Sequence, residues 1–215
     1  MNYEHINSKL INYFNREEYI EDLTLARSDF EKAAGIIDED EDNFESKTRQ
    51  FHDWFLYSRP IKGGKRPIAY AINDKEFEPD KLFLINASSS QHSLFELLKV
   101  KKDFIKVRNL FTKKKYKVLN NFVALEFHAG DFFEARVIEF DDQMQFTGSF
   151  CFHPKEAKKF ILTEVKQVRK IKEENEKQLL KEKLIFRLFR MNHKLGQYKH
   201  LSTDQVYSNS SQFKL

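Results

Sequence analysis

Apolar positions along the chain recur first every three or four residues, then every second residue, then every three or four again. Ile6, Leu10, Ile11 and Phe14, followed by Tyr19, Leu23, Ala26, Phe30 and Ala33-Ala34, predict two amphipathic helices between Tyr3 and Ile37, with Gly35 as the stop. Asp38-Glu39-Asp40-Glu41-Asp42 is too repulsive and too poor in apolar residues to be core. It is a linker or the acidic start of the next helix, which Phe51, Trp54, Phe55 and Tyr57 place over Phe44 to Tyr57. Pro60 and Gly63-Gly64 end that helix. Short helices are predicted at Ile68 to Ile72 and Lys81 to Ile85, before a polar break at Ala87-Ser88-Ser89-Ser90.

From Leu94 the period becomes two. Leu98 and Val100 alternate with Lys99 and Lys101, Ile105 and Val107 with Lys106 and Arg108, and Val123, Leu125 and Phe127 with Ala124 and Glu126. Turns are expected at Lys102-Asp103, Lys113-Lys114-Lys115 and Ala129-Gly130-Asp131, and strands this short and regularly spaced predict a small antiparallel barrel or curled sheet. The last hairpin runs from Phe132 to Phe140 and returns from Gln145 to Phe152. A turn centred between Asp142 and Gln143 sets Phe133, Ala135 and Val137 against Phe152, Phe150 and Gly148, and Glu134 and Arg136 against Cys151 and Ser149 on the other face. Phe132, Ile138 and Phe140 share that other face, so a helix is expected to cover it.

After His153-Pro154 the helical period returns, with one stripe at Ile161, Val165 and Val168 and another at Leu180, Leu184, Leu188, Met191 and Leu195. A continuous helix here extends about 60 Å at 1.5 Å per residue, so it either projects or breaks near the polar stretch Arg169 to Lys177. Its apolar residues cover more than half the circumference, which favours burial or a dimer. The fold class is therefore α+β: an acidic helical region (1–57), short helices and loops (58–93), a β-barrel-like domain (94–153), a long basic C-terminal helix (154–196) and a loosely ordered tail (197–215).

Charge sharpens this division. Residues 1–57 carry 6 basic against 14 acidic side chains, residues 58–154 carry 16 against 12, and residues 155–215 carry 15 against 7. An acidic head and basic remainder fit mutual contact or a polyanionic partner. The single cysteine excludes an internal disulfide and fits a reducing compartment. Met1-Asn2-Tyr3-Glu4-His5 is no secretory leader and no run of about 18 apolar residues occurs, so a cytoplasmic protein without a membrane span is expected.

Few residues announce chemistry. Cys151, His153, His128 and Asp131 are weak candidates for a metal site, since paired Cys or His spacing is missing. Cys151 with His153 or His128 is the one candidate nucleophile and base, though residues two apart on a strand lie about 7 Å apart. Gly63-Gly64-Lys65-Arg66 lacks the spacing of a phosphate cradle and reads as a turn. The densest basic run also holds Lys102, and its candidate nucleic-acid contacts are Lys99, Lys101, Lys106, Arg108, Lys113, Lys114, Lys115 and Lys117. Among 22 Phe, exposed rings beside these lysines would stack single-stranded nucleic acid, while lysines on strand edges also deter aggregation.

The block Phe51-His52-Asp53-Trp54-Phe55-Leu56-Tyr57-Ser58-Arg59-Pro60 is followed by Gly64-Lys65-Arg66-Pro67, Leu110-Phe111-Thr112, Gly130-Asp131 with Ala135-Arg136, and Thr147-Gly148. This series resembles a scattered family of uncharacterised bacterial proteins with an F-x-D-W-F block, a G-x-x-P turn and a strand-rich part holding a D-L-x-T-like step and a G-D hairpin. The likeness spans about residues 51–153 and departs at Asn109, where an acid is expected. It implies one helical-plus-barrel unit and brings no activity and no catalytic residue. Read physically, Phe51, Trp54 and Phe55 form one helical face that anchors core, and Asp53 and Arg59 are placed to pair or cap.

These patterns favour a non-enzymatic binding protein, without a cofactor, that contacts nucleic acid or a ribonucleoprotein through the basic strands and the C-terminal helix. A protein–protein adaptor, dimeric through that helix, is the alternative, and a metal site or enzyme around Cys151, His153 and Asp131 the third.

Overall fold

Residues 3–41, 43–120, 128–140 and 143–209 are described by a computed structural model. The predicted strand through Val123, Leu125 and Phe127 lies outside them, as does the Asp141-Asp142 turn. The helices are α1 (Tyr3–Phe14), α2 (Ile20–Ala34), α3 (Phe44–Tyr57), α4 (Pro67–Ala71), α5 (Lys81–Ser88), α6 (Lys158–Lys170), α7 (Glu174–Gln197) and α8 (Thr203–Val206). The strands are β1 (Gln91–Val100), β2 (Phe104–Asn109), β3 (Lys115–Leu119), β4 (Phe132–Phe140) and β5 (Gln143–His153), closed into a barrel in the order β1-β2-β3-β5-β4. Among the described residues no helix is long and apolar enough to cross a membrane.

Contacts gather the chain into two interleaved units, one holding Met1–Lys32, Ile36–Gln91 and Arg136–Ser149 and the other Ala33–Gly35, His92–Ala135 and Phe150–Leu215.

In the first unit the aromatic face of α3 is the anchor. Phe51, Trp54 and Phe55 are buried and meet Phe30 of α2 (5.6 Å to Phe51, 5.7 Å to Trp54) and Phe14 of α1 (6.2 Å to Phe55). Residues 38–41 of the acidic run are a linker: α3 begins only at Phe44, and the ammonium of buried Lys47 reaches back to Glu41 and to the carbonyl of Ile36. Gly63, with φ +92°, sits in the turn where a β-carbon would lie 2.4 Å from the Tyr70 hydroxyl, so close approach as well as backbone conformation demands glycine. Residues 61–65 close a turn by hydrogen bonds between Ile61 and Lys65 and between Gly64 and Ile61, and Arg66 donates to the Tyr57 carbonyl.

Asp53 departs from expectation. Its partner is Arg136 on β4, not Arg59: Arg136 Nε lies 2.6 Å from Asp53 Oδ2, and Thr147 of β5 donates to Asp53 Oδ1 at 2.7 Å. Arg136 also donates to Ser58 Oγ (2.6 Å) and Ser90 Oγ (3.2 Å) and lies over the Tyr57 ring. Arg59 pairs with Asp29 instead. Three residues of the family-like series, Asp53, Arg136 and Thr147, thus form one buried polar network.

The second unit is organised around aromatic packing on the sheet. Phe95 meets Tyr116 (6.2 Å) and Phe133 (5.9 Å), and Phe133 meets Phe150 (5.9 Å) and Phe152 (5.3 Å), so Phe133, Phe150 and Phe152 share one face, as predicted, while β5 begins earlier than expected, at Gln143. The other side of β4 is covered: Phe132 is buried with Leu94, Ile161, Val165, Leu184, Leu188 and Met191. The long C-terminal helix is broken at residues 171–173, and Glu173 caps α7 by accepting from the N–H groups of Asn175 and Glu176. Breaking there folds both apolar stripes into one core, which a projecting helix leaves half exposed. The tail is ordered further than its serines suggest: Ser202 and Gln205 form a capping box for α8, and Val206 and Tyr207 are buried.

Both charges of the Asp53–Arg136 pair are about 96–97% buried, so removing one strands the other. Asp53→Ala is expected to lower the unfolding free energy in urea by about 3–5 kcal/mol, while replacing both partners by apolar residues recovers most of it. A loss below about 1 kcal/mol for the single variant contradicts this reading of the network.

Candidate functional site

The basic strands pair so that their cations line up. In β1–β2–β3, Lys99 lies opposite Lys106, which lies opposite Lys117; the next outward row is Glu96, Arg108 and Lys115. Between these rows Leu97, Val107 and Tyr116 point inward and are buried. A β-bulge between Leu97 and Lys99 makes this arrangement possible. Regular pairing from Leu97↔Val107 sets Lys99 against Ile105 on the buried face; the extra residue turns Lys99 outward beside Lys106.

Seven of the eight predicted basic residues, Lys99, Lys101, Lys106, Lys113, Lys114, Lys115 and Lys117, are exposed. Arg108 is the exception, half-buried and bound to Glu96 through both Nε and Nη2. The β2–β3 turn is closed by its own hydrogen bonds. Asn109 Oδ1 accepts from the N–H groups of Phe111 (2.9 Å) and Thr112 (3.1 Å), a task an aspartate oxygen performs equally well. Leu110 and Phe111 pack on the α6–α7 core, and Lys181 of α7 lies over the Phe111 ring at 5.6 Å, so the basic turn adjoins the basic helix.

Among the described residues the strands present no fully exposed aromatic ring. Phe95, Phe132, Phe133 and Phe146 are buried. Phe104 at the end of β2 is only half-buried, and Lys117 covers its ring at 4.4 Å.

The four weak metal candidates separate by environment. His128 is exposed at the turn before β4, where its Nδ1 lies 3.8 Å from Asp131 Oδ2. Cys151 and His153 are buried on β5. Among the described residues no group of three or more His, Cys, Asp or Glu side chains is placed to hold a metal ion. Burial, reinforced by the Glu134 charge and opposed by a hydrogen bond from Asn192, raises the Cys151 thiol well above its ordinary range, which disfavours the nucleophilic thiolate.

Sequence reasoning missed the polar layer around this thiol. His92 Nε2 lies 2.7 Å from Glu134 Oε1, Asn192 Nδ2 donates to Cys151 Sγ at 3.3 Å, and His153 Nδ1 lies 3.1 Å from the Tyr207 hydroxyl. The alternation of Glu134 and Cys151 with apolar residues was legible; the helical partners Asn192 and Tyr207 lie too far along the chain to be paired by pattern.

The sequence pattern of a family of unknown function, DUF7986, matches residues 2–199, and the chain belongs to that family. No curated protein and no solved structure matches the chain significantly.

Burial lowers the His153 pKa from 6.5 to about 3. The unfolded chain therefore takes up the proton first as pH falls: the stability this neutral imidazole contributes is whole above pH 6.5 and is lost progressively down to about pH 3. Between pH 6.5 and 5 the loss from this residue approaches about 2 kcal/mol. Urea unfolding should show a shallower pH dependence over that interval in His153→Leu than in the natural protein; equal slopes contradict the assignment.

Proposed function

We propose that this chain is a non-enzymatic cytoplasmic binding protein whose basic β1–β3 face takes the phosphodiester backbone of nucleic acid, free or within a ribonucleoprotein, with the basic helix α7 beside it. The observation that carries the reading is the row Lys99–Lys106–Lys117, three exposed lysines at directly opposite positions on adjacent strands. Like charges in that position destabilise a sheet, and an anionic ligand relieves the repulsion. Guarding an open edge does not account for them, because the barrel is closed. The bulge that turns Lys99 into the row supports the same reading.

Phosphate contact rather than base stacking suits this surface, since the described rings of the strands are buried or half-buried. Binding is then tolerant of sequence and steep in salt. Arg108, held by Glu96, contributes less than the lysines.

An adaptor role has one feature in its favour, a cleft of about 280 Å3 between α6 and α7, lined by Val168, Ile171, Leu180 and Leu184 together with Lys183 and the Arg187–Glu164 ion pair. A protein partner seated there associates with little dependence on salt.

Binding to single- and double-stranded DNA and RNA between 50 and 200 mM salt separates the two readings. With all seven exposed lysines engaged, log K falls against log salt with a slope of about −5 for a single strand and about −6 for duplex DNA. Lys106→Gln with Lys117→Gln reduces that slope by roughly 1.4 to 1.8, and Arg108→Gln changes it less. Absence of binding at 50 mM salt, or binding indifferent to salt, contradicts the proposal.

A further inference from the structure

Lys113 is the one residue other than glycine with a left-handed backbone among the described residues, at φ +62°. At Gly35, Gly63, Gly64, Gly130 and Gly148 the chain meets the same requirement with glycine. Only at the tip of the β2–β3 turn does it place a long, charged side chain where the β-carbon is strained. Nothing in the local packing asks for that side chain, because Lys113 is exposed. The turn holds its shape through the backbone and Asn109: Lys113 N–H donates to the Asn109 carbonyl (2.8 Å), Asn109 N–H to the Lys114 carbonyl (2.9 Å), and Lys114 N–H to Thr112 Oγ1 (3.3 Å). A glycine or asparagine at position 113 fits the same turn more easily, so fold stability does not explain the lysine.

Resting on the nucleic-acid reading above, we infer that Lys113 is an anchoring contact for the phosphodiester backbone, kept in a strained conformation for its charge. Strained residues gather where function over-determines the backbone, and here the strain coincides with the cation-rich end of the basic face. Lys114 and Lys115 follow it directly, and Lys181 stands on the Phe111 ring of the same turn. A phosphate chain running along Lys117 and Lys115 reaches this turn next. Because the turn is already braced, the ligand meets Lys113 without ordering a loop, and its full charge goes into binding.

The test compares Lys113→Gly, Lys113→Asn, Lys113→Arg and Lys117→Gln with the natural protein, using thermal unfolding and salt-dependent binding to a single-stranded oligonucleotide of mixed sequence. Lys113→Asn and Lys113→Gly are expected to unfold no earlier than the natural protein, to bind severalfold more weakly, and to lose roughly 0.7 from the salt slope. Lys113→Arg retains binding. If Lys113→Gly and Lys113→Asn bind as tightly as the natural protein while Lys117→Gln weakens binding, the inference is overturned and the reading of the face stands. If the natural protein itself does not bind, both fall together.

Discussion

The buried pair of Asp53 and Arg136 sets the terms for its unit, because a carboxylate and a guanidinium so enclosed are tolerable only with every polar atom engaged. Asp53 divides its two oxygens between Arg136 and Thr147, and Arg136 spreads its remaining donors over Ser58 and Ser90. Through these bonds α3 is fixed against β4 and β5 in register, since a one-residue slip in either strand turns Arg136 or Thr147 to the other face. Trp54 and Phe55, adjacent in sequence, supply the apolar burial that the polar network positions.

A related division holds in the second unit. Where helices α6 and α7 cover the sheet, its outward residues are Leu94 and Phe132, joined by Cys151, which receives a hydrogen bond from α7. Where β2 and β3 meet solvent, the outward residues are Lys106, Arg108, Lys115 and Lys117. Aromatic packing on the inner side keeps the strands paired despite the repulsion among these cations. That packing holds the row of cations in place, and Lys113, with its left-handed backbone, stands at the turn beside it.

Regular elements were legible because period and punctuation agreed: α3 begins at Phe44 and ends at Tyr57, and β4 runs from Phe132 to Phe140, as the pattern predicts. The break between α6 and α7 was harder, since Arg169 to Lys177 reads equally as a solvated helix or a turn. Two apolar stripes on either side of it carried the decisive information, and their common burial needs a hairpin. Ser202 looked like disorder in composition but is a cap once Gln205 is set three residues later. The sequence places Asp53 and Arg59 to pair or cap, whereas the partner of Asp53 lies 83 residues away, a distance no local pattern spans. The basic residues were visible as a run; their alignment into a row depended on a bulge that leaves no mark in the sequence. Cys151 and His153 drew attention as reactive types, yet burial holds one protonated and the other neutral.

On the proposed function, the outward face of β1–β3 receives a phosphate backbone. Titrating isotope-labelled protein with an oligonucleotide and following backbone amide shifts tests it most directly. The largest shifts are expected on β1 from Lys99 onward, on β2 and β3, and on the turn through Lys113, with α1 and α2 unmoved. Shifts centred on the α6–α7 cleft or on the acidic helices, with β2 and β3 silent, would contradict it.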